Sequence, residues 1–257
     1  MSRHPLEELY LTEEDYRRIR TDVPSGCPTC RDTGEITVPG GIVTPCNCHL
    51  QKALLKHYLA SGIPELYMRL DWPDYEGDAA ALEVTRSYLE ELNQYLEAGL
   101  GLLLSGSFGT GKTMLAMLLG KEIIKLGMPV YCTSYSRMIE MFAAGWRDRD
   151  DQIWFEKKVM SSKVLILDDI GKEMVTRLSN PTFDYVVRHR AGSLRPTILT
   201  TNLTEADIDE RYGAGALSIL WERSLRVEIQ ESTDDFRRAA QQRTVKEARS
   251  GWRRPII

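Results

Sequence analysis

A chain of 257 residues can bury one sizeable core and carry a small appendage. Its hydrophobic content of 42% is ordinary for a globular protein, no apolar run approaches the roughly 20 residues of a membrane span, and the polar, acidic N-terminus has no signal-peptide core. A net charge of -4 excludes a uniformly basic nucleic-acid binder but leaves room for a local basic patch; a cytoplasmic protein with no membrane partner is expected.

Residues 6–20 read as a charged helix, broken by Val23-Pro24-Ser25-Gly26. Four of the five cysteines, Cys27, Cys30, Cys46 and Cys48, then follow within one short segment. In a cytosolic chain such a cluster points to metal before disulfides. Cys27-x-x-Cys30 and Cys46-x-Cys48 offer four thiolates to a tetrahedral structural Zn2+, with His49 or His57 open as a replacement for one cysteine. Gly34, Pro39, Gly40 and Gly41 suit a hairpin between the pairs. So small a segment draws much of its folding energy from the metal, and a closed site carries no catalysis. The fifth cysteine, Cys132, reads as a core residue.

Leu50 to Ala60 reads as a helix leaving the cysteine segment, and Gly62-Ile63-Pro64 and Trp72-Pro73-Asp74 mark an irregular connection. Leu82, Leu89, Leu92 and Leu96 fall at helical spacing, which predicts one amphipathic helix over 79–98. Beyond residue 100 apolar strands alternate with helical segments. The strands are Leu100–Leu104, Val130–Thr133, Val164–Leu167, Thr197–Thr201 and Arg226–Ile229. This alternation predicts an α/β fold with a five-stranded parallel sheet sandwiched by helices, and such sheets bind ligands at the carboxyl ends of their strands. The chain divides accordingly into an N-terminal helix and zinc module (1–60), a linker with its amphipathic helix (61–99) and a nucleotide-binding domain (100–257).

The first of those strands is followed by Gly106-Ser107-Phe108-Gly109-Thr110-Gly111-Lys112-Thr113, a G-x-x-x-x-G-K-T phosphate-binding loop, and then by an apolar helical run. The glycines let backbone N–H groups turn onto phosphates, and the helix start adds partial positive charge. Lys112 is expected to reach the β- and γ-phosphates of ATP, and the Thr113 hydroxyl to hold Mg2+. The third strand ends in Asp168-Asp169, the Walker B pattern. Asp168 would orient the Mg2+ shell and Asp169 would polarise the attacking water. Asn202, ending the fourth strand, is suited to hold that water or the γ-phosphate. Arg223, in Leu220-Trp221-Glu222-Arg223-Ser224-Leu225-Arg226, is a candidate finger for a neighbouring subunit's site, with Arg226 as the alternative; Arg237 is a second candidate for nucleotide sensing.

These elements in this order resemble the AAA+ ATPases, and most of all the bacterial helicase-loader branch, DnaC/DnaI, with its relative the transposition helper IstB. Ser61-Gly62-Ile63-Pro64, Leu167-Asp168-Asp169-Ile170-Gly171, Arg190 before Pro196-Thr197-Ile198-Leu199-Thr200-Thr201-Asn202, Trp221-Glu222-Arg223 and Asp235-Phe236-Arg237 carry the resemblance over residues 60–240. The cysteine segment resembles the zinc module that heads some loaders. The resemblance implies a P-loop sheet of the AAA+ (ASCE) type and a slow ATPase, stimulated by DNA or a partner, that loads a replicative DNA helicase onto single-stranded DNA. The alternatives are a transposition helper of the IstB kind and a zinc-containing nucleotide-dependent adaptor with little hydrolysis.

After the fifth strand, residues 231–257 are too few for a full lid domain, so a nucleotide-dependent homo-oligomer is expected to cover the nucleotide. The segment before Cys27 is shorter than the helicase-docking domain that loaders often carry. Walker B is Asp-Asp where many AAA+ proteins have Asp-Glu, which implies slower hydrolysis without loss of binding. Loaders of this kind resemble initiators that contact single-stranded DNA through helices near Phe142-Ala143-Ala144-Gly145-Trp146-Arg147-Asp148-Arg149. A basic tail (Arg237, Arg238, Arg243, Lys246, Arg249, Arg253, Arg254) is a second candidate phosphate-facing surface.

Overall fold

The computed structural model describes residues 26–230 and, in the C-terminal segment, 241–242, 245–246, 248–249 and 255–257. The helix expected over 6–20, Arg237 and the tail residues other than Lys246 and Arg249 lie outside the described residues.

The cysteine segment holds an antiparallel hairpin, β1 (Glu35–Val38) and β2 (Ile42–Pro45), closed by Val38↔Ile42 around the Pro39-Gly40-Gly41 turn. Helix α1 (Asn47–Ala60) leaves it and starts earlier than its apolar run, at the second cysteine pair. Next come α2 (Glu65–Met68), a 3-10 turn at Trp72–Asp74 capped by Asp71, α3 (Ala79–Glu90) and α4 (Leu92–Ala98). The helix expected over 79–98 is therefore two helices. Asp78 caps the first, whose buried residues are Ala81, Thr85 and Tyr88; Glu91 leaves helical geometry (φ -98°, ψ 17°), and the turn there directs Leu92 and Leu96 into the core. Leu82 and Leu89, which set the expected periodicity, are only half-buried.

The main sheet contains β3 (Gly101–Ser105), β4 (Val130–Ser134), β5 (Val164–Ile170), β6 (Thr197–Thr201) and β7 (Ser224–Glu228), all parallel, in the order β4-β5-β6-β3-β7. Between them run α5 (Lys112–Lys125), α6 (Tyr135–Gly145), α7 (Arg149–Phe155) with a π turn at Glu156–Met160, α8 (Ser179–Gly192), α9 (Glu205–Tyr212) and α10 (Ala214–Arg223).

Strands β3 to β6 are largely buried on both faces because both are covered, whereas the edge strand β7 exposes Arg226 and Glu228. Alternate residues serve two cores. Leu102, Leu104, Val164, Ile166 and Ile198 pack with α5 and the 55–96 segment; Leu103, Leu165, Leu167 and Leu199 pack with α6, α8, α9 and α10. Leu55, Tyr58, Ile63, Met68 and Tyr75 belong to the first core, so the segment between the cysteines and β3 is a layer of the domain rather than a bare tether. Tyr58 Oη donates to the Ile257 carbonyl (2.9 Å), which ties that layer to the end of the chain. Cys132 is buried in β4, as a core residue should be, and burial pushes its thiol pKa well up.

Candidate active site and metal centre

Strand β3 delivers the chain into the loop 106–111, and α5 begins at Lys112. Two loop glycines are required by both dihedral angle and space. Gly106 has φ 142°, and a Cβ there would lie 2.5 Å from the Ile229 carbonyl oxygen; Gly111 has φ 87°, and a Cβ there would lie 2.6 Å from the Tyr75 ring. Tyr75 Oη in turn donates to the Thr110 carbonyl (3.4 Å), so the 61–99 layer braces the loop. Lys112 is nearly buried, with Nζ donating to the carbonyls of Gly106 (2.9 Å) and Ser107 (2.6 Å). Its ammonium is thus held inside the curve of the loop.

One carboxylate joins two strands and a helix. Thr113 Oγ1 donates to Asp168 Oδ1 (2.8 Å), and Thr200 Oγ1, from β6, donates to the same oxygen (2.5 Å). The Thr200 hydroxyl also accepts from the Asp169 amide (2.9 Å). Burial pushes the Asp168 pKa up; the Thr200 hydrogen bond opposes this, the neighbouring Asp169 charge adds to it, and the Thr113 bond opposes it again. A half-buried carboxylate beside a hydroxyl at the start of a P-loop helix is the donor pair that Mg2+ takes. Asp169 has φ 59°, a left-handed conformation unusual outside glycine, which turns its side chain out of the strand path. It forms an ion pair with Lys172, whose ammonium lies 5.2 Å from the Phe108 ring centre. Asn202 follows β6, two residues beyond Thr200, with a buried Nδ2.

Thr200, Lys172, Glu173 and Arg211 were not singled out in the sequence. Glu173 is buried; its carboxylate accepts from the Gly171 amide (2.9 Å), Arg211 Nε (2.9 Å) and Tyr212 Oη (2.7 Å). Arg211 also donates to the Gly171 and Glu173 carbonyls (3.0 and 2.7 Å). The turn after Asp169 is thereby pinned to α9. Thr200 was the legible one among these, a polar residue at the carboxyl end of an apolar strand, where ligands of such sheets sit.

The candidate fingers are both paired within the chain. Arg223, ending α10, bonds Glu222 (2.8 Å) and the Ala98 carbonyl (3.4 Å). Arg226, on β7, bonds Glu205 (2.8 Å) and lies 4.9 Å from the Trp221 ring centre. In the segment suited to stacking, Trp146 is 67% exposed and packs its ring against Phe142 (5.4 Å), which also meets Tyr185 of α8 (5.9 Å). Asp148 there is committed to capping α7.

The four cysteines of the N-terminal segment converge. The sulfurs of Cys27, Cys30, Cys46 and Cys48 all lie within 4.8 Å of one another, and no histidine belongs to the group among the described residues. The first pair sits in a turn held by Asp32, whose carboxylate accepts from the Gly26 and Cys27 amides (2.7 and 3.0 Å); the second sits at the start of α1. The Cys30 and Thr29 amides lower the Cys27 pKa to about 6, whereas the Cys30 thiol pushes Cys48 up to about 12. Four crowded sulfurs with one favoured thiolate are a donor set that a thiophilic divalent cation fits, and tetrahedral Zn2+ suits four sulfurs best. Metal analysis of purified protein should find one zinc per chain. Cys30→Ser should lose it while the nucleotide domain stays folded; stoichiometric zinc in that variant would rule out this ligand set.

A parallel sheet of order β4-β5-β6-β3-β7, with a P-loop at the end of its β3 strand and a half-buried acid on the strand two places away, defines an AAA+-type P-loop nucleotide-binding protein. The family model described as IstB-like ATP binding protein matches residues 72–244, more than half of the chain, and the chain belongs to that family. The replicative helicase loader DnaC of Buchnera aphidicola subsp. Acyrthosiphon pisum (strain APS) is 27% identical over 161 residues, covering 60% of this chain and 63% of that protein. The uncharacterized protein YdaV of Escherichia coli (strain K12) is 27% identical over 147 residues, 56% of this chain and 58% of its own. The chain thus spans about six tenths of the length of these curated relatives. Among solved structures, that of the DnaC helicase loader superposes with a TM-score of 0.59 at 26% identity, covering 65% of this chain and 100% of that one. The DnaI structure shares the fold, with a TM-score of 0.54 at 21% identity over 65% and 95% of the two chains.

Proposed function

We propose that this chain is an ATP-hydrolysing loader that delivers a replicative DNA helicase to single-stranded DNA in the cytoplasm. The observation that carries the reading is the Thr113–Asp168–Thr200 cluster at the mouth of the P-loop, in a family whose relatives include proteins named as replicative helicase loaders. Lys112 would hold the β- and γ-phosphates, and Thr113 and Asp168 would hold Mg2+. Bound Mg2+ supplies charge neutralisation between the phosphates. Asp169 then orients and polarises water once its bond to Lys172 loosens, and Asn202 fixes the opposite side of that water or the γ-phosphate.

Asp169→Asn should bind ATP as tightly as wild type yet hydrolyse it at a rate indistinguishable from background, because an amide cannot take the proton. That variant is also the trap that tests the whole reading. With ATP present it should capture a ring helicase from host extract and leave it on single-stranded DNA. Capture of a transposase instead would favour the second reading, a transposition helper, which the family description supports.

Assembly belongs to the same proposal. Arg223 would leave Glu222 to face a neighbour's γ-phosphate, and the exposed Trp146 would meet single-stranded DNA within the oligomer. Arg223→Ala should bind ATP normally and lose DNA-stimulated hydrolysis by roughly 10³-fold or more. Mixing it with Lys112→Ala, which keeps its finger, should recover turnover. No recovery, together with a monomer on sizing with ATP and DNA, would make Arg223 a surface residue.

A further inference from the structure

Two side chains that hydrolysis would need free are each held by a neighbour on the same chain. Lys172 pairs with Asp169, and Glu222 pairs with Arg223 (2.8 Å). All four side chains are more than a third exposed, so each pair adds little to stability and can change partners at little cost. The pairs lie at opposite ends of the sheet. Asp169 sits at the carboxyl end of β5, next to the phosphate loop, whereas Arg223 immediately precedes β7, whose first residue, Ser224, is level with Gly101 at the start of β3. The length of β7 puts roughly 13 Å of strand between the two ends, further than an arginine side chain reaches, so no copy brings its own Arg223 to its own phosphate loop.

Each end also carries exposed apolar surface. Around the loop, Met174 is 84% and Val175 75% exposed, and Phe108 is exposed with its ring centre 5.2 Å from the Lys172 ammonium. Met174 and Val175 do not lie on a free tip: Ser179 Oγ donates to the Met174 carbonyl (3.0 Å), and the buried Glu173 accepts from the Gly171 amide (2.9 Å). At the other end Leu194 is exposed and has φ 49°. A branched apolar residue in the left-handed region is costly, and such strain is kept where a site uses it. Leu194 packs against Gly99, where a Cβ would lie 2.7 Å from the Leu194 Cα, and the adjoining Ala98 carbonyl accepts from Arg223 (3.4 Å). Leu194 and Arg223 therefore share one surface.

We propose that a second copy of this chain seats its Leu194–Arg223 surface on the rim formed by Phe108, Met174 and Val175, and that the two ion pairs exchange across this contact. Arg223 turns to the neighbour's terminal phosphate, and Glu222, released, takes Lys172 from the neighbour's Asp169. This rests on the reading of Asp169 as the hydrolytic acid and of Arg223 as the finger. Charge complementarity selects the occupant: Glu222 meets Lys172 and Arg223 meets phosphate, with apolar residues beside both, and all of these groups belong to this chain. A contact between unlike ends of identical copies repeats head to tail. Each Asp169 stays neutralised by Lys172 until a neighbour's Glu222 arrives, so hydrolysis waits for assembly.

The test is self-association by analytical ultracentrifugation with Mg2+ and a non-hydrolysable ATP analogue. Lys172→Glu and Glu222→Lys should each weaken assembly about tenfold, because like charges then meet at the contact. Mixing the two single variants should restore assembly to within about threefold of wild type, since every contact in an alternating assembly then joins opposite charges. Lys172→Gln and Glu222→Gln, which disturb folding least, should weaken it about threefold. In dilute protein, where copies are apart, Lys172→Gln should hydrolyse ATP several-fold faster than wild type. Reversed variants that assemble like wild type, a mixture no better than its components, or an unchanged dilute rate in Lys172→Gln overturns the proposal. A wild type that stays monomeric overturns the assembly reading instead, so the two failures are distinguishable.

Discussion

Lys112→Ala is expected to abolish ATP binding at ordinary nucleotide concentrations while the protein stays folded. The ammonium now donates to two loop carbonyls, and in the nucleotide-bound loop it would donate to phosphate oxygens instead. Charge-assisted bonds of that kind are worth roughly 1.5–3 kcal/mol each, so losing about two of them weakens ATP some 10²- to 10⁴-fold. No other described side chain brings a cation into the loop, because Lys172 is committed to Asp169 and to the Phe108 ring. Titration with a fluorescent ATP analogue reads the loss, and circular dichroism checks the fold. An unchanged affinity would remove the P-loop assignment and everything built on it.

The second large effect is on stability. Glu173→Ala should destabilise the fold by about 3–5 kcal/mol, the range for leaving a buried ion-pair partner unmatched. The buried carboxylate serves the Gly171 amide, Arg211 and Tyr212 together, and removing it strands all three. Burial already pushes the Tyr212 phenol pKa up, with the Glu173 hydrogen bond adding to it, so the hydroxyl remains a donor that needs an acceptor. Urea unfolding measures the change. Glu173→Gln keeps an acceptor for Tyr212 and should lose less. A loss under about 1 kcal/mol for the alanine variant would mean that the turn after Walker B is held by other contacts. Because that turn carries Asp169, residual folded Glu173→Ala should also hydrolyse ATP more slowly than it binds it.

How much of this was legible depended on range. The P-loop, Walker B and the cysteine pairs are short-range patterns whose chemistry imposes residue types at fixed offsets: glycine where φ is positive and a Cβ would collide, and sulfur at spacings that a turn can gather. The five strands were legible for a related reason, since burial on both faces leaves a continuous apolar run. The helix over 79–98 misread because a periodic row of leucines does not reveal which face is buried. Tyr88, stacked on Tyr95 at 4.9 Å, took the core position that Leu89 was expected to fill. Glu173 looked like one more loop acid, and Arg211 like one more charge on a polar helix. Nothing local distinguishes a buried, fully bonded carboxylate from a solvated one.

By itself the sequence determined the α/β class, the phosphate loop with its lysine, the acid pair and the gathering of four cysteines, because each is specified by the backbone conformation or ligand chemistry of a few neighbouring residues. Only the tertiary structure decided the strand order β4-β5-β6-β3-β7, which sets Asp168 of β5 and Thr200 of β6 side by side, with Thr113, beyond β3, within reach of both. It also decided that residues 61–99 form a packed layer bracing the loop through Tyr75, and that Glu173 and Arg211 meet across the site. The physical reason is that such contacts join residues tens of positions apart, and their geometry exists only once two hydrophobic cores have closed on opposite faces of the sheet.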